Sequence, residues 1–445
     1  MITVIEHAAI STVDADGTEF RDGHVVIDGE HIVAVGEGTA EVAAGRRVDA
    51  GGCLLTPGLV NTHHHLYQWA TRGLAADSTL FQWLVELYPI WGRLDARITH
   101  AAASAGLARL ALTGCTTVAD HHYVFPAEGG DQVAALVAAT HRIGVRSHIV
   151  RGSMDRGASD GGLPPDNLVE DTEAALLGTE HAIDAHHDGA PNARVRIAAG
   201  PCSPFSVSER LMTGAAELAR RKGVRLHTHL AETLDEETRC LAEFGCTPAE
   251  YADKLEWLAD DVWLAHTVHL APAAIRRLGA TRTGSAHCPT SNGRLGTGIS
   301  PVRDLLDAGS PVGLGVDGAA SNESGGLAEE LHQSLMQARQ RGGPTALTVR
   351  QALWMGTMGG ARCLGREREL GSLEPGKLAD LAIWDLSGLR YAGIEDPVAA
   401  LVLGAVPPLK LLLVSGETVV ADGELKTADE STLASELAAA SRRLR

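Results

Sequence analysis

The chain has 445 residues, 44% of them hydrophobic and 21% charged, the composition of an ordinary globule with room for one large domain and a smaller one. Its 38 basic against 56 acidic side chains leave a formal net charge of −18, which disfavours a nucleic-acid partner, and no apolar run is long enough to span a bilayer. Met1–Glu6 lacks the basic flank and apolar centre of a secretion signal, and seven dispersed cysteines without a Cys-x-x-Cys pair read as reduced thiols, so a cytoplasmic location is expected.

Residues 2–36 alternate apolar and polar positions in the runs Ile2–Ile5, His24–Ile27 and Ile32–Val35, and the Asp28-Gly29 pair between two β-branched runs signals a hairpin. Asp380–Trp384, Leu411–Gly416 and Val419–Gly423 repeat this style near the other end. The two ends, 1–56 and 371–426, are therefore expected to build one small β-sandwich, followed by a C-terminal helix over 427–445. Between them, in residues 57–370, short β-prone runs alternate with alanine- and leucine-rich segments of helical composition. The runs are Leu54–His65, Thr116–His122, Val145–Arg151, Val195–Gly200, Arg225–His229, Val262–His266, Gly284–Cys288 and Val312–Asp317. This alternation predicts an α/β fold, a (β/α)8 barrel of the TIM type, whose functional groups gather at the C-terminal ends of its strands.

Runs one, five, six and eight end in the fragments Asn61–His65, Leu226–Glu232, Leu264–His266 and Leu314–Asp317. Residues two apart on a strand face the same way, so His63 and His65 share a face, and His227 and His229 repeat the spacing. Three imidazoles and a carboxylate delivered to one rim can close around a single divalent metal and leave room for water, which implies hydrolysis. Nitrogen and oxygen ligands with an open position suit zinc first, with iron or manganese as alternatives. His64, between two ligands, is expected to point away, and His227 to pack or support rather than ligate. One of Asp120, His121 and His122, at the end of run two, is expected to line the pocket. Gly313–Gly318 matches the dinucleotide pattern G-x-G-x-x-G, but no βαβ context supports a cofactor there. The His-x-Glu and Pro-Cys-x-x-Cys signature of zinc cytidine deaminases is absent.

Aromatic residues make up only 4% of the chain, yet Tyr67, Trp69, Phe81, Trp83, Tyr88 and Trp91 cluster directly after the first histidine pair. They are expected to wall or cover the ion and to suit a flat heterocycle, with Gln68 and Arg72 available to read a ring edge.

These fragments resemble the amidohydrolase superfamily in its cytosine-deaminase-like branch, over nearly the whole chain, including Leu370–Leu381. The resemblance implies His63, His65, His229 and Asp317 as metal ligands, Glu232 as proton shuttle and His266 as a contact to the attacking water or substrate, with Asp317 also taking the water's proton. Some relatives bridge two metals with a lysine of strand four; Val195–Gly200 contains none, so one metal is expected. The segments His63–Gln68, Leu80–Trp91 and His287–Asn292 are most similar to 8-oxoguanine deaminases. That similarity implies hydrolytic deamination of an oxidised purine to urate and ammonia, with Gln68, Trp91 and His122 as candidate substrate contacts. Triazine hydrolases of the same branch share Gly200-Pro-Cys202 and Val262–His266. An s-triazine chloro- or aminohydrolase, or a deaminase of another purine or pterin, are therefore the alternatives. A non-catalytic scaffold is the alternative of a different class. The resemblance also implies a homo-oligomer.

Overall fold

The structure, a computed structural model, describes residues 1–445. Eight parallel strands close a barrel in chain order: Leu59–Asn61, Cys115–His122, Arg146–Ser153, Val195–Pro201, Leu226–Leu230, Val262–His266, Gly284–His287 and Val312–Leu314, the last pairing back to the first. Outward residues such as Val118, Ile149, Ile197 and Leu264 join a 92-residue core under the surrounding helices, whereas Val60, Ala119, Val150, Ala198, Trp263 and Ala286 fill the barrel itself. The interior is packed solid, so only the strand ends can host a ligand.

The expected first run, Leu54–His65, breaks into three strands, the last of which, His64–His65, pairs outside the barrel. Cys53–Pro57 belongs to a separate sheet, and the barrel strand starts only at Leu59. Pro57 offers no N–H to continue a ladder, and at Gly58 a Cβ would sit 2.3 Å from the Thr116 side chain. Backbone meets barrel so closely there that no side chain fits.

Both chain ends supply one nine-stranded sheet, joined where Cys53–Pro57 pairs antiparallel with Leu381–Asp385. The hairpin signal at Asp28-Gly29 is realised, with Gly29 at φ +57 between the strands Glu19–Asp28 and His31–Glu37. Period-two alternation divides the sheet's faces. Leu381, Ile383, Leu411 and Leu413 enter a 15-residue cluster of the sheet's own, while Ala382, Trp384, Leu412 and Val414 join the main core against the barrel. Trp384 locks this contact: a Cβ on Gly114 would lie 2.1 Å from its ring.

A buried polar knot ties sheet to barrel at the N-terminal end of strand three. Arg146 donates from Nε and Nη2 to the Asp380 carboxylate at 2.8 and 3.2 Å, from Nη1 to the carbonyls of Asn192 and Ala193, and from Nη2 to Ser415 Oγ. The C-terminal helix, Glu430–Leu444, is capped by Asp429 and packs on the helix Ala96–Leu112. No helix is long and apolar enough to cross a membrane, and all seven cysteines are free thiols.

Candidate active site

The rim at the C-terminal ends of the strands gathers the predicted residues because strands one and eight are stitched beyond the barrel. His64–His65 pairs with Asp317–Gly318, Asp317 donates its backbone N–H to His63 O at 3.0 Å, and the ring of His64 donates back from Nδ1 to Asp317 O. His64 therefore points away from the centre, with Nε2 accepting from Trp69 Nε1 at 3.1 Å. The backbone turns sharply at these ends: Ala231, His266, Thr267 and Asp317 all have φ between 47° and 71°. Left-handed conformations in non-glycine residues persist only where the surroundings over-determine them.

Hydrogen bonding fixes the tautomers of the rim histidines. His227 must donate from Nδ1 to the Trp263 carbonyl at 2.8 Å, so in the neutral ring its Nε2 accepts, and His63 donates to it from Nδ1 at 2.8 Å. His65 donates from Nδ1 to His121 O at 2.6 Å, His229 from Nδ1 to Cys202 O at 2.6 Å, and His266 from Nδ1 to Asn292 Oδ1 at 3.0 Å. Burial holds His63 and His229 well below the usual imidazole range, keeping both rings neutral. In their neutral forms His63, His65, His229 and His266 therefore each present Nε2 as a bare lone pair, whereas His227 Nε2 is taken by His63. The Nε2 atoms of His65 and His229 stand 3.1 Å apart with no proton between them, and Asp317 Oδ1 lies 3.2 Å from Nε2 of both His63 and His65. His63 Nε2 is buried without a partner. Converging acceptors with nothing to donate to them define a cation site, and this donor set fits a divalent metal. The ligand atoms of His63, His65 and Asp317, and those of His63, His229 and His266, lie within 4.8 Å of one another.

Asp317 is held from its other oxygen, Oδ2 accepting from Ser291 Oγ at 2.5 Å and Ser321 Oγ at 3.3 Å. His266 Nε2 lies 3.7 Å from Glu232 Oε2 and 3.9 Å from Asp317 Oδ2. Glu232 has no hydrogen-bond partner for its carboxyl group, and burial first, then the neighbouring Asp317 charge, pushes that group well above the usual carboxylate range. A carboxyl group beside a cation site is placed to carry a proton between water and a leaving group.

A cavity opens over these atoms, walled by Trp83, Tyr88, Tyr123, Phe205 and several leucines, with Gln68 and Ser203 as polar members. Leu80, Trp83, Leu84 and Tyr88 form one face of the helix Leu80–Trp91, which roofs the site as the aromatic cluster suggests. Gln68 accepts from Ala320 N through Oε1, and its Nε2 is buried without a partner.

The structure does not bring Trp91 or His122 to the cavity. Trp91 donates from Nε1 to Thr71 Oγ1 and packs beneath the roof on Tyr67, Trp83 and Tyr88. His122 faces outward from its strand, its Nε2 bonded to Val124 O. None of Asp120, His121 and His122 lines the cavity; the next residue, Tyr123, does. Asp120 instead accepts from Leu66 N at 2.6 Å, fixing the turn after His65, and His121 donates from Nε2 to Gly200 O. Arg72 stacks on Trp69 and bonds Glu323 O, outside the cavity.

The amidohydrolase family profile matches residues 54–421, most of the chain. The chain belongs to the amidohydrolase family. Among its relatives, an 8-oxoguanine deaminase of Pseudomonas aeruginosa is 44% identical over 94% of this chain and 94% of that protein. An isoxanthopterin deaminase of an unknown prokaryotic organism is 37% identical over 87% of this chain and 85% of that protein. Among solved structures, the zinc-bound atrazine chlorohydrolase of Arthrobacter aurescens TC1 superimposes with a TM-score of 0.94 at 33% identity, covering 99% of this chain and 100% of that one. As a member of the family, this chain is a hydrolytic enzyme of the deaminase type, and its histidine cluster is one that could hold a metal.

Proposed function

We propose that this amidohydrolase deaminates an oxidised purine, with 8-oxoguanine as the first substrate and urate and ammonia as products, using one zinc ion held by His63, His65, His229 and Asp317. The observation that carries the reading is the set of bare, convergent Nε2 atoms beneath an aromatic slot, in a chain 44% identical to an 8-oxoguanine deaminase over 94% of its length. The aromatic side chains that line the cavity suit a flat heteroaromatic ring.

A bound divalent ion supplies the Lewis acidity that makes water nucleophilic near neutral pH. The rest of the chemistry belongs to the chain's own side chains. Trp83, Tyr88, Tyr123 and Phe205 sandwich the flat ring and exclude bulk water. Gln68 Nε2, left without a protein partner, donates to a ring carbonyl or nitrogen. Asp317, its carboxylate oriented by Ser291 and Ser321, accepts the proton of the attacking water. His266, oriented by Asn292, offers its Nε2 lone pair to a proton of the attacking water or of the substrate. Glu232 delivers its proton to the departing nitrogen, which leaves as ammonia.

The test is ammonia release from 8-oxoguanine by zinc-loaded enzyme, run beside isoxanthopterin and other oxidised purines. Turnover of 8-oxoguanine well above the rest is expected, and no turnover of any oxopurine would remove the substrate assignment. The resemblance to the triazine chlorohydrolase supports one second reading, a triazine hydrolase, which parallel assays for chloride and alkylamine release separate from the first.

A further inference from the structure

Glu236 lies outside the catalytic set yet is a fully buried carboxylate, 1% exposed, at the third position of the helix Leu234–Phe244. Such a residue ordinarily closes a capping box by reaching back to the backbone N–H of the cap. Gln82, Glu250 and Gln351 do this in the present chain, bonding the N–H groups of Thr79, Thr247 and Thr348. Glu236 departs from the pattern. Thr233 caps its helix by accepting Glu236 N at 3.1 Å, but the Glu236 carboxylate passes the cap and takes two earlier N–H groups. Oε1 accepts from Ala231 N at 2.9 Å and Oε2 from Glu232 N at 2.8 Å.

The peptide so gripped is the one that carries the proton shuttle. Ala231, at φ +55, turns the chain out of strand five, and its carbonyl accepts from Val268 N and His269 N at 2.9 Å each, just beyond His266. Glu236 therefore presses a strained turn from one side while the loop after strand six holds it from the other. Glu232 Oε2 comes to 3.7 Å from His266 Nε2 as a result. Each of the two N–H donors meets its own oxygen, a match that a carboxylate provides and that a primary amide, with one oxygen and an NH2, does not.

We propose that Glu236 is a positioning residue, clamping the Ala231–Glu232 backbone so that the Glu232 carboxyl group stands at the proton-transfer position beside His266. It never touches substrate; it acts through Glu232. The claim rests on the proposed role of Glu232, and its structural half can be read without any substrate.

The experiment compares wild type with Glu236→Gln and Glu236→Asp, each metal-loaded. Crystal structures in one crystal form report the Glu232–His266 separation. In Glu236→Gln the amide nitrogen opposes one of the two N–H groups, so the turn shifts and the separation departs from 3.7 Å. On whichever ring the wild type turns over, kcat should fall about 100-fold, with KM within about threefold and metal content unchanged. Glu236→Asp keeps both oxygens on a shorter arm and should lose less, about 10-fold; it decides the matter if the glutamine variant does not fold. An unmoved Glu232 carboxyl, or a lowered melting temperature with kcat per metal-loaded enzyme intact, would overturn the proposal. Wild type inactive on every ring would count against the proposed function alone, because the structural comparison would still stand or fall.

Discussion

The two ends of the barrel bury polar clusters of similar depth and opposite logic. At the N-terminal end, Arg146 uses its guanidinium on Asp380, Ser415 and two carbonyls, and Asp380 Oδ1 also accepts from Ser415 N at 2.7 Å. Donors and acceptors there are matched, so the knot is complete in itself. At the C-terminal rim, His63, His65, His229 and His266 are satisfied at Nδ1 and bare at Nε2, all on the same side. One cluster holds a sheet to a barrel; the other waits for a cation. Burial alone does not separate a structural polar group from a functional one, but the direction of its unmet valence does.

Substitutions at the two ends should therefore fail differently. Asp317→Ala at the rim should abolish metal retention and cost about 10³-fold or more in rate, since it removes both a ligand and the acceptor of the water's proton; stoichiometric metal with near-normal turnover would relocate the site. Glu232→Gln should keep one metal per chain and lose about 10²–10⁴-fold in kcat, because the group moves a proton without ligating. His227→Ala removes the acceptor that fixes the His63 ring, and metal affinity should weaken about 10–100-fold by competition with a chelator. At the other end, Arg146→Met leaves Asp380 buried without its cation and should cost about 3–5 kcal/mol in denaturant unfolding. Its kcat per folded enzyme should stay at wild type, and a selective loss of rate would blur the distinction between the two ends. The smallest effect belongs to Trp91→Phe: KM should change by less than about twofold, because the ring packs under the roof and its loss registers in stability instead.

Much of this is legible in the sequence alone. Strand-terminal histidines two apart report their own orientation, since the period of a strand is fixed, and so His63, His65 and His229 stand where the spacing puts them. The same rule assigns His121 inward and His122 outward, but the strand's last hydrogen-bonded residue is not written in the sequence, and Tyr123 takes the pocket position just beyond it. On the roof helix the aromatic cluster is plain, but which of its members reach the cavity depends on where along the axis the cavity ends. Trp83, Tyr88 and Trp91 all lie on the buried face; Trp83 and Tyr88 line the cavity, and Trp91, one turn beyond Tyr88, packs beneath the roof. Ser291 and Asn292 act through tertiary contacts across strands, to Asp317 and His266, and no local pattern announces them beyond the similarity of the segment that contains them. The break at Pro57-Gly58 had a signal in its two residue types, outweighed by the apolar run on either side.

The proposed metal centre has one ion among Nε2 of His63, His65 and His229 and a carboxylate oxygen of Asp317. Anomalous diffraction at the zinc edge, on crystals of enzyme reconstituted with a single equivalent of zinc, tests it most directly. One peak per chain is expected, about 2.0–2.2 Å from those atoms. A peak seated on other residues, or on Nδ1 atoms after the rings have turned over, would contradict it.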